Sequence, residues 1–259
     1  DGVASFLRGV RALFDYRDHQ ASARGAPPIA PAAAVTSWRR RLQDGYPLDE
    51  HEALGMLADF GLPANAGCIV ESEAAALAAA HELGYPVALK TAVSGIDHKS
   101  DRDGVRLDMA DDASLAAAWR DLSARIGPRT LVAPMVPAPG VELLLGMILD
   151  PQFGPVVLIG AGGVHVEAHA DAVYALPPFD AAEARRLLGR LRIAPLLASR
   201  RHRRPLAIDA FCAAAARFSA LAAGLGELFA EIDLNPVIVH ADGCTIVDAL
   251  IISQARQSP

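Results

Sequence analysis

Leu83-Gly84-Tyr85-Pro86-Val87-Ala88-Leu89-Lys90 decides how the chain is read: a glycine stops what comes before it, and an extended apolar run follows that ends in a lysine. Upstream, Ser72 to Leu83 is alanine-rich and starts on a residue suited to an N-cap, and Cys68-Ile69-Val70 before it is a short apolar strand. Downstream, a polar loop from Thr91 to Asp103 leads to a strand at Val105-Arg106-Leu107, and Asp112 to Ile126 is a helix. Leu131-Val132, Val141 to Leu149 and Pro155 to Ile159 then read as strands of a second lobe, which closes with Glu231 to Val239 and Cys244 to Ala249. Helices at Ala181 to Leu191 and Asp209 to Leu225 separate these strands. The expectation is an α+β molecule of two lobes, with no solenoid repeat.

Outside that frame, Phe6, Leu7, Val10, Leu13 and Phe14 recur at helical spacing within Val3 to Tyr16, between arginines. Gln20 to Val35 is rich in Ala and Pro, including Pro27-Pro28 and Pro31, and reads as a linker unable to pack as regular structure. Leu54, Met56, Leu57 and Phe60 then mark a helix stopped by Gly61 and Pro63. The expected divisions are a tail over 1–19, a linker over 20–47, a first lobe with its leading helix over 48–130 and a second lobe over 131–255.

Composition narrows the function. A chain of 259 residues, 52% hydrophobic and with net charge −6, has the volume for a core and lacks the basic field of a dedicated nucleic-acid binder. The short basic run Arg200-Arg201-His202-Arg203-Arg204 has no interleaved aromatics and reads as a solvated loop. The most apolar stretch, Ala207 to Ala230, is broken by Asp209, Arg217 and Glu227 and reads as a buried helix, with no membrane partner expected. Cys68, Cys212 and Cys244 form no CxxC pair, so neither a disulfide framework nor a zinc site is suggested, and the cytoplasm is the expected compartment. The chain begins at Asp1 without a signal-peptide pattern, and a fragment, subunit or trimmed chain is the expectation.

Four segments carry candidate chemistry. Lys90, at the end of an apolar strand, can lay its stem on the core and reach a phosphate, or be an ordinary strand-end lysine. Ser94 to Asp101 crowds His98, Lys99 and hydroxyl and carboxylate groups into one loop, where a neutral imidazole can serve as base, ligand or nucleophile. Gly160-Ala161-Gly162-Gly163 follows an apolar strand, so its amides can approach phosphate oxygens, although it lacks the Rossmann pattern. Glu231, Asp233 and Asn235 alternate along one side of a strand, and a hairpin across Ala241-Asp242-Gly243 can bring Asn235 and Asp248 together as oxygen ligands for magnesium. His165 and His169 are four apart, but Glu167 is misplaced for the zincin pattern, and a metal there is not expected.

Taken together, these runs resemble the ATP-grasp part of the NDP-forming acyl-CoA synthetases, which include the ADP-forming acetate–CoA ligases and are related to the succinyl-CoA synthetase β subunit. The resemblance covers about Leu48 to Ile252, through Leu83 to Lys90, His98-Lys99-Ser100-Asp101, Asp150 to Pro155, Gly160 to Gly163 with Glu167, and Asp233 to Pro236 with Asp248. It implies the ATP-grasp fold, with a nucleotide cleft between the lobes. Lys90 resembles the lysine on the ATP phosphates. Val132, Pro134 and Met135 lie in what resembles the lobe-linking strand beside adenine, and Lys99, Glu142, Gly160, Gly162 and Gly163 join them as implied ATP-binding residues. Asn235 and Asp248 match the magnesium positions, His98 matches a phosphoryl-carrying histidine, and Asp233 matches an acid that steadies it. The implied cofactors are ATP or ADP and Mg2+.

The implied reaction joins a carboxylic acid to CoA through an acyl phosphate, with phosphohistidine shuttling the phosphoryl group. A CoA-binding and ligase subunit or domain is the implied partner, of which Val3 to Arg17 resembles the tail, and homo- or hetero-oligomers are compatible with it. Asp97, Asp103-Gly104-Val105 and Ser199-Arg200-Arg201 depart from the family pattern, which attaches altered substrate choice or reduced activity to those loops. The competing reading is a non-catalytic nucleotide-sensing module that regulates a partner. An ATP-grasp ligase joining some other acid to an amine would leave His98 without a role.

Overall fold

The structure is a computed structural model that describes residues 2–21, 25–43, 47–93, 103–136, 139–163, 171–198 and 204–254. A helix α1 (Val3–Ala21) comes first, followed by α2 (Ala32–Gln43) and α3 (Glu50–Asp59). The smaller lobe then runs β1 (Cys68–Val70), α4 (Glu73–Leu83), β2 (Val87–Thr91), β3 (Val105–Met109), α5 (Asp112–Arg125) and β4 (Thr130–Pro134). Its sheet has the order β1-β4-β2-β3, antiparallel throughout. Ser72 caps α4 by accepting from the Ala75 amide, and Gly84 ends it at φ 83°, a conformation open to glycine. Asp111 and Ser114 form a capping box on α5. Both helices bury alanines and leucines against Val70, Val87, Leu89 and Val132, which makes a separate small core.

The larger lobe continues through β5 (Val141–Asp150), β6 (Gly154–Ala161), β7 (Ala172–Ala175), α6 (Ala181–Leu188), α7 (Ala194–Leu197), α8 (Ile208–Leu225), β8 (Phe229–His240), β9 (Gly243–Ile246) and β10 (Leu250–Ser253). The strands run β10-β8-β5-β6-β7, again antiparallel, and β9 pairs with the other half of β8. Phe211, Phe218 and Leu221 of α8 join Leu143, Leu145, Met147, Ile232 and Val237 in the large core. By length and composition alone Ile208–Leu228 could cross a membrane, but its core-facing residues are buried in the protein.

In β8 the buried apolar positions are Ile232 and Leu234, then Val237 and Val239, so the alternation slips by one across Asn235-Pro236. The pairing agrees: Leu145 faces Leu234 while Leu143 faces Val237, which leaves an extra residue in β8 at that point.

Four expectations change. Residues 32–43 are a helix, not linker: the prolines all lie ahead of it, Pro31 accepts its first bond from Val35, and Ala34 and Leu42 are buried in the large core. The strand at Leu131-Val132 belongs to the small sheet, between β1 and β2, because its apolar residues complete that core. The leading helix α3 packs in the large core through Ala53, Leu54, Met56 and Leu57, although it precedes the small lobe in sequence. Asp248 lies between β9 and β10 rather than in a strand.

Candidate functional site

All five residues of β2 are buried, so Lys90 leaves the small sheet with its stem among apolar neighbours and its ammonium at the seam between the lobes. Lys90 Nζ donates to Glu50 Oε1 at 2.7 Å and to the Val247 carbonyl at 2.9 Å, and Asp248 Oδ2 is 3.9 Å away. The Lys90 and Glu50 side chains are 5% and 6% exposed, so each charge depends on the other for what water would otherwise supply. Glu50 opens α3, whose cap is Asp49. Burial alone would raise the Asp49 carboxyl, but the Glu52 amide and the Arg129 guanidinium outweigh it and hold it below its ordinary value. Arg129 donates to Asp49 Oδ2 at 2.8 Å and also to the Ala92 carbonyl, a second tie between α3 and the small lobe.

The extra residue in β8 lets Asn235 depart from the ladder. Its Oδ1 accepts the Gly163 amide at 3.0 Å, and the Val247 amide donates to the Pro236 carbonyl at 3.1 Å, which brings the segment bearing Asp248 alongside. Asp248 Oδ1 accepts the Ala249 amide, and its side chain is 40% exposed, so the carboxylate is anchored yet open. Asn235 Oδ1 and this carboxylate are hard oxygen donors suited to magnesium that keeps waters and phosphate oxygens. Among the described residues no group of three or more His, Cys, Asp or Glu side chains could hold a metal by itself. Asp233 pairs with Gly146 and Leu250, and burial pushes its carboxyl up to about 6, with the charges of Glu231 and Asp248 acting in the same direction. That acid keeps its proton into mildly acidic solution.

The glycine turn is built for close approach. The Gly162 amide donates to the Glu142 carbonyl at 3.0 Å, and a Cβ on Gly162 would lie 2.6 Å from the Leu143 carbonyl carbon. Gly163 takes φ 91°, a conformation that strains any side-chain-bearing residue, and a Cβ there would also crowd the Glu142 carboxylate, while Gly160 lies against the Asp171 backbone. The structure therefore brings Glu142, Gly162, Gly163 and Asn235 into one chain of contacts, and Lys90 and Asp248 into another. Val132 is fully buried in the small core, so its side chain faces away from any cleft ligand. The Pro134 carbonyl accepts from Asn65 Nδ2 at 3.1 Å, and the Met135 amide donates to the Pro86 carbonyl at 3.2 Å.

Glu50, Asn65 and the Val247 carbonyl escape the sequence reading. Glu50 sits in an acidic first turn after a good N-cap, so helix capping already accounts for its charge. His98, Lys99 and the rest of their loop over 94–102 lie outside the described residues, as do His165, Glu167, His169 and the segment 199–203 that holds most of the basic run.

The model of the ATP-grasp domain matches residues 41–252, most of the chain and both sheets. The chain belongs to the ATP-grasp family. Among relatives of this ATP-grasp chain is the β subunit of acetate–CoA ligase [ADP-forming] II from Pyrococcus furiosus, 34% identical over 213 residues, covering 78% of this chain and 90% of that one. Acetyl-coenzyme A synthetase 1 of Ca. Korarchaeum cryptofilum, solved with coenzyme A and Ca-AMPCP, superposes with TM-score 0.77 at 32% identity, over 85% of this chain and 100% of that chain. A second structure of that enzyme, with coenzyme A and Mg-AMPPCP and its phosphohistidine segment pointing towards the nucleotide site, gives TM-score 0.73 at 33% identity, with the same coverage of both chains. The homologues include β subunits of ADP-forming acid–CoA ligases, and this chain covers the ATP-grasp part of such enzymes.

Proposed function

We propose that the chain is the ATP-grasp subunit or domain of an ADP-forming acid–CoA ligase, and that it moves a phosphoryl group between ATP or ADP and His98. The observation that carries the reading is the meeting of Lys90 and Asp248 at the seam, 3.9 Å apart, one from each lobe. A desolvated ammonium and an open carboxylate suit the phosphates of a nucleotide and the divalent cation that accompanies them. Lys90 and the amides of Gly162 and Gly163 neutralise and orient the phosphates. Asn235 and Asp248 would hold magnesium, whose charge would offset that of the phosphates. Pro134 and Met135 line the adenine end. Lys99 follows His98 and adds positive charge.

In the transfer itself, a neutral His98 nitrogen forms the N–P bond while the bond from the γ-phosphorus to the bridging oxygen breaks and its electron pair leaves with ADP. Asp233 accepts a hydrogen bond from the other ring nitrogen and steadies the phosphohistidine. Passing the group to a carboxylate gives an acyl phosphate, from which CoA thiol displaces phosphate. Those later steps need a CoA-binding partner subunit or domain, in line with the β-subunit relatives. The free cysteines fit a reducing, cytoplasmic setting.

Incubation with magnesium and γ-labelled ATP tests the reading. Acid-labile, base-stable label on the wild type and none on His98→Ala is the expected result. Nucleotide binding with no label on either protein would instead favour a nucleotide-sensing module, the reading motivated by Asp103 and the other loop departures.

A further inference from the structure

We propose that Glu50 is a positioning residue for phosphoryl transfer: its buried carboxylate fixes the Lys90 ammonium at the seam, so that the lysine meets the nucleotide as a set charge rather than a swinging one. The inference rests on the role given to Lys90 above. A lysine stem is long and freely rotating, and left alone it would have to be ordered in every turnover. Here two acceptors from the larger lobe, Glu50 Oε1 and the Val247 carbonyl, hold the ammonium of a small-lobe strand at 2.7 and 2.9 Å. Asp248 stands farther off at 3.9 Å, with one oxygen committed to the Ala249 amide, so Glu50 and not Asp248 carries the strong pairing. That division leaves Asp248 available to a cation while Lys90 stays placed.

The charge of Glu50 has a further effect. A carboxylate behind the ammonium opposes the phosphates, so ground-state binding gains less from Lys90 than it would from an unpaired lysine. As negative charge shifts in the transition state, the fixed ammonium is already where it is required. Removing Glu50 should therefore separate binding from transfer. General damage to the fold would weaken both.

The neighbouring Asp49 supplies the control. It also ties α3 to the small lobe, through Arg129 at 2.8 Å, and its bonded partners are Arg129 and the Glu52 amide. Full-length wild type, Glu50→Gln, Glu50→Asp and Asp49→Asn are compared in single-turnover labelling from γ-labelled ATP with magnesium, and in calorimetric binding of Mg-AMPPCP. Glu50→Gln should label at least tenfold more slowly, with AMPPCP bound as tightly as by wild type or up to several-fold tighter. Glu50→Asp, which keeps the charge but shortens the reach, should also slow labelling, and it serves if the glutamine variant does not fold. Asp49→Asn should label within about twofold of wild type despite a lower melting temperature. Labelling of both Glu50 variants at the wild-type rate overturns the inference and leaves the function standing, as does an equal slowing by Asp49→Asn. Absence of label on wild type overturns both.

Discussion

Asp103 adopts φ 51°, a left-handed backbone conformation that glycine enters freely and a carboxylate residue enters at a cost. It holds there because Arg106 donates to its carboxylate at 2.8 and 2.9 Å and Arg125 lies 3.4 Å away, with Asp121 bridging the two arginines. The ion cluster is what lets aspartate hold this conformation. Asp103→Gly, which loses the ion pairs but gains backbone freedom, should melt closer to wild type than Asp103→Ala, which loses both. Thermal melts of the pair check this, and equal melting would remove the backbone argument. Asp49 gives a pH signature. Its carboxyl lies below its ordinary 3.8 in the fold, so its stabilisation is present above that value and is lost as pH falls through the lower folded value. Asp49→Asn should cost about 1 kcal/mol at pH 7, and the gap from wild type should narrow in urea unfolding as pH falls below 3.8. At Lys90 the sequence leaves two readings open, a lysine that reaches a phosphate and an ordinary strand-end one, and the structure shows its ammonium buried against Glu50. Glu50 was not readable, because a helix start explains an acid equally well and only the folded chain shows the lysine 40 positions away.

Among elements, the slip in β8 was written in the sequence as Ile232 and Leu234 followed by Val237 and Val239, a change of parity that no uninterrupted strand tolerates. Taking the run as one regular strand placed Asn235 on the same face as Asp233, whereas the extra residue turns it toward the Gly163 amide. The α2 helix was obscured by the prolines clustered just before it. Chain order alone suggests the larger lobe for β4, while its pairing is decided by the core that Val132 and its neighbours complete, which is the small one. The helices of the small lobe were the most legible parts, since their caps are local. Ser72→Ala removes the bond to the Ala75 amide and should cost about 1 kcal/mol. Because the small core shares no residue with the large one, the change should speed amide exchange in β2 and α4 and leave β5 and α8 unchanged. Uniform acceleration across both sheets would show that the two lobes unfold as one unit.

At the scale of the whole molecule, two apolar cores meet along a joint secured by polar groups: Lys90 with Glu50, Arg129 with Asp49, and Asn65 with the Pro134 carbonyl. The two ion pairs are not equally sheltered. Arg129 and Asp49 are each 31% exposed, against 5% and 6% for Lys90 and Glu50. Dissolved salt shortens the reach of exposed charges to about 3 Å at 1 M but penetrates buried pairs far less. Concentrated salt should therefore undo one of the three fastenings and spare the other two, so that the small lobe changes from a leaf hung on three hinges to one hung on two. One of those two is Lys90, the lysine proposed above to meet the phosphates. In brine the cleft would swing more widely while its charged pivot stayed in place, and the solvent would set how far the cleft opens.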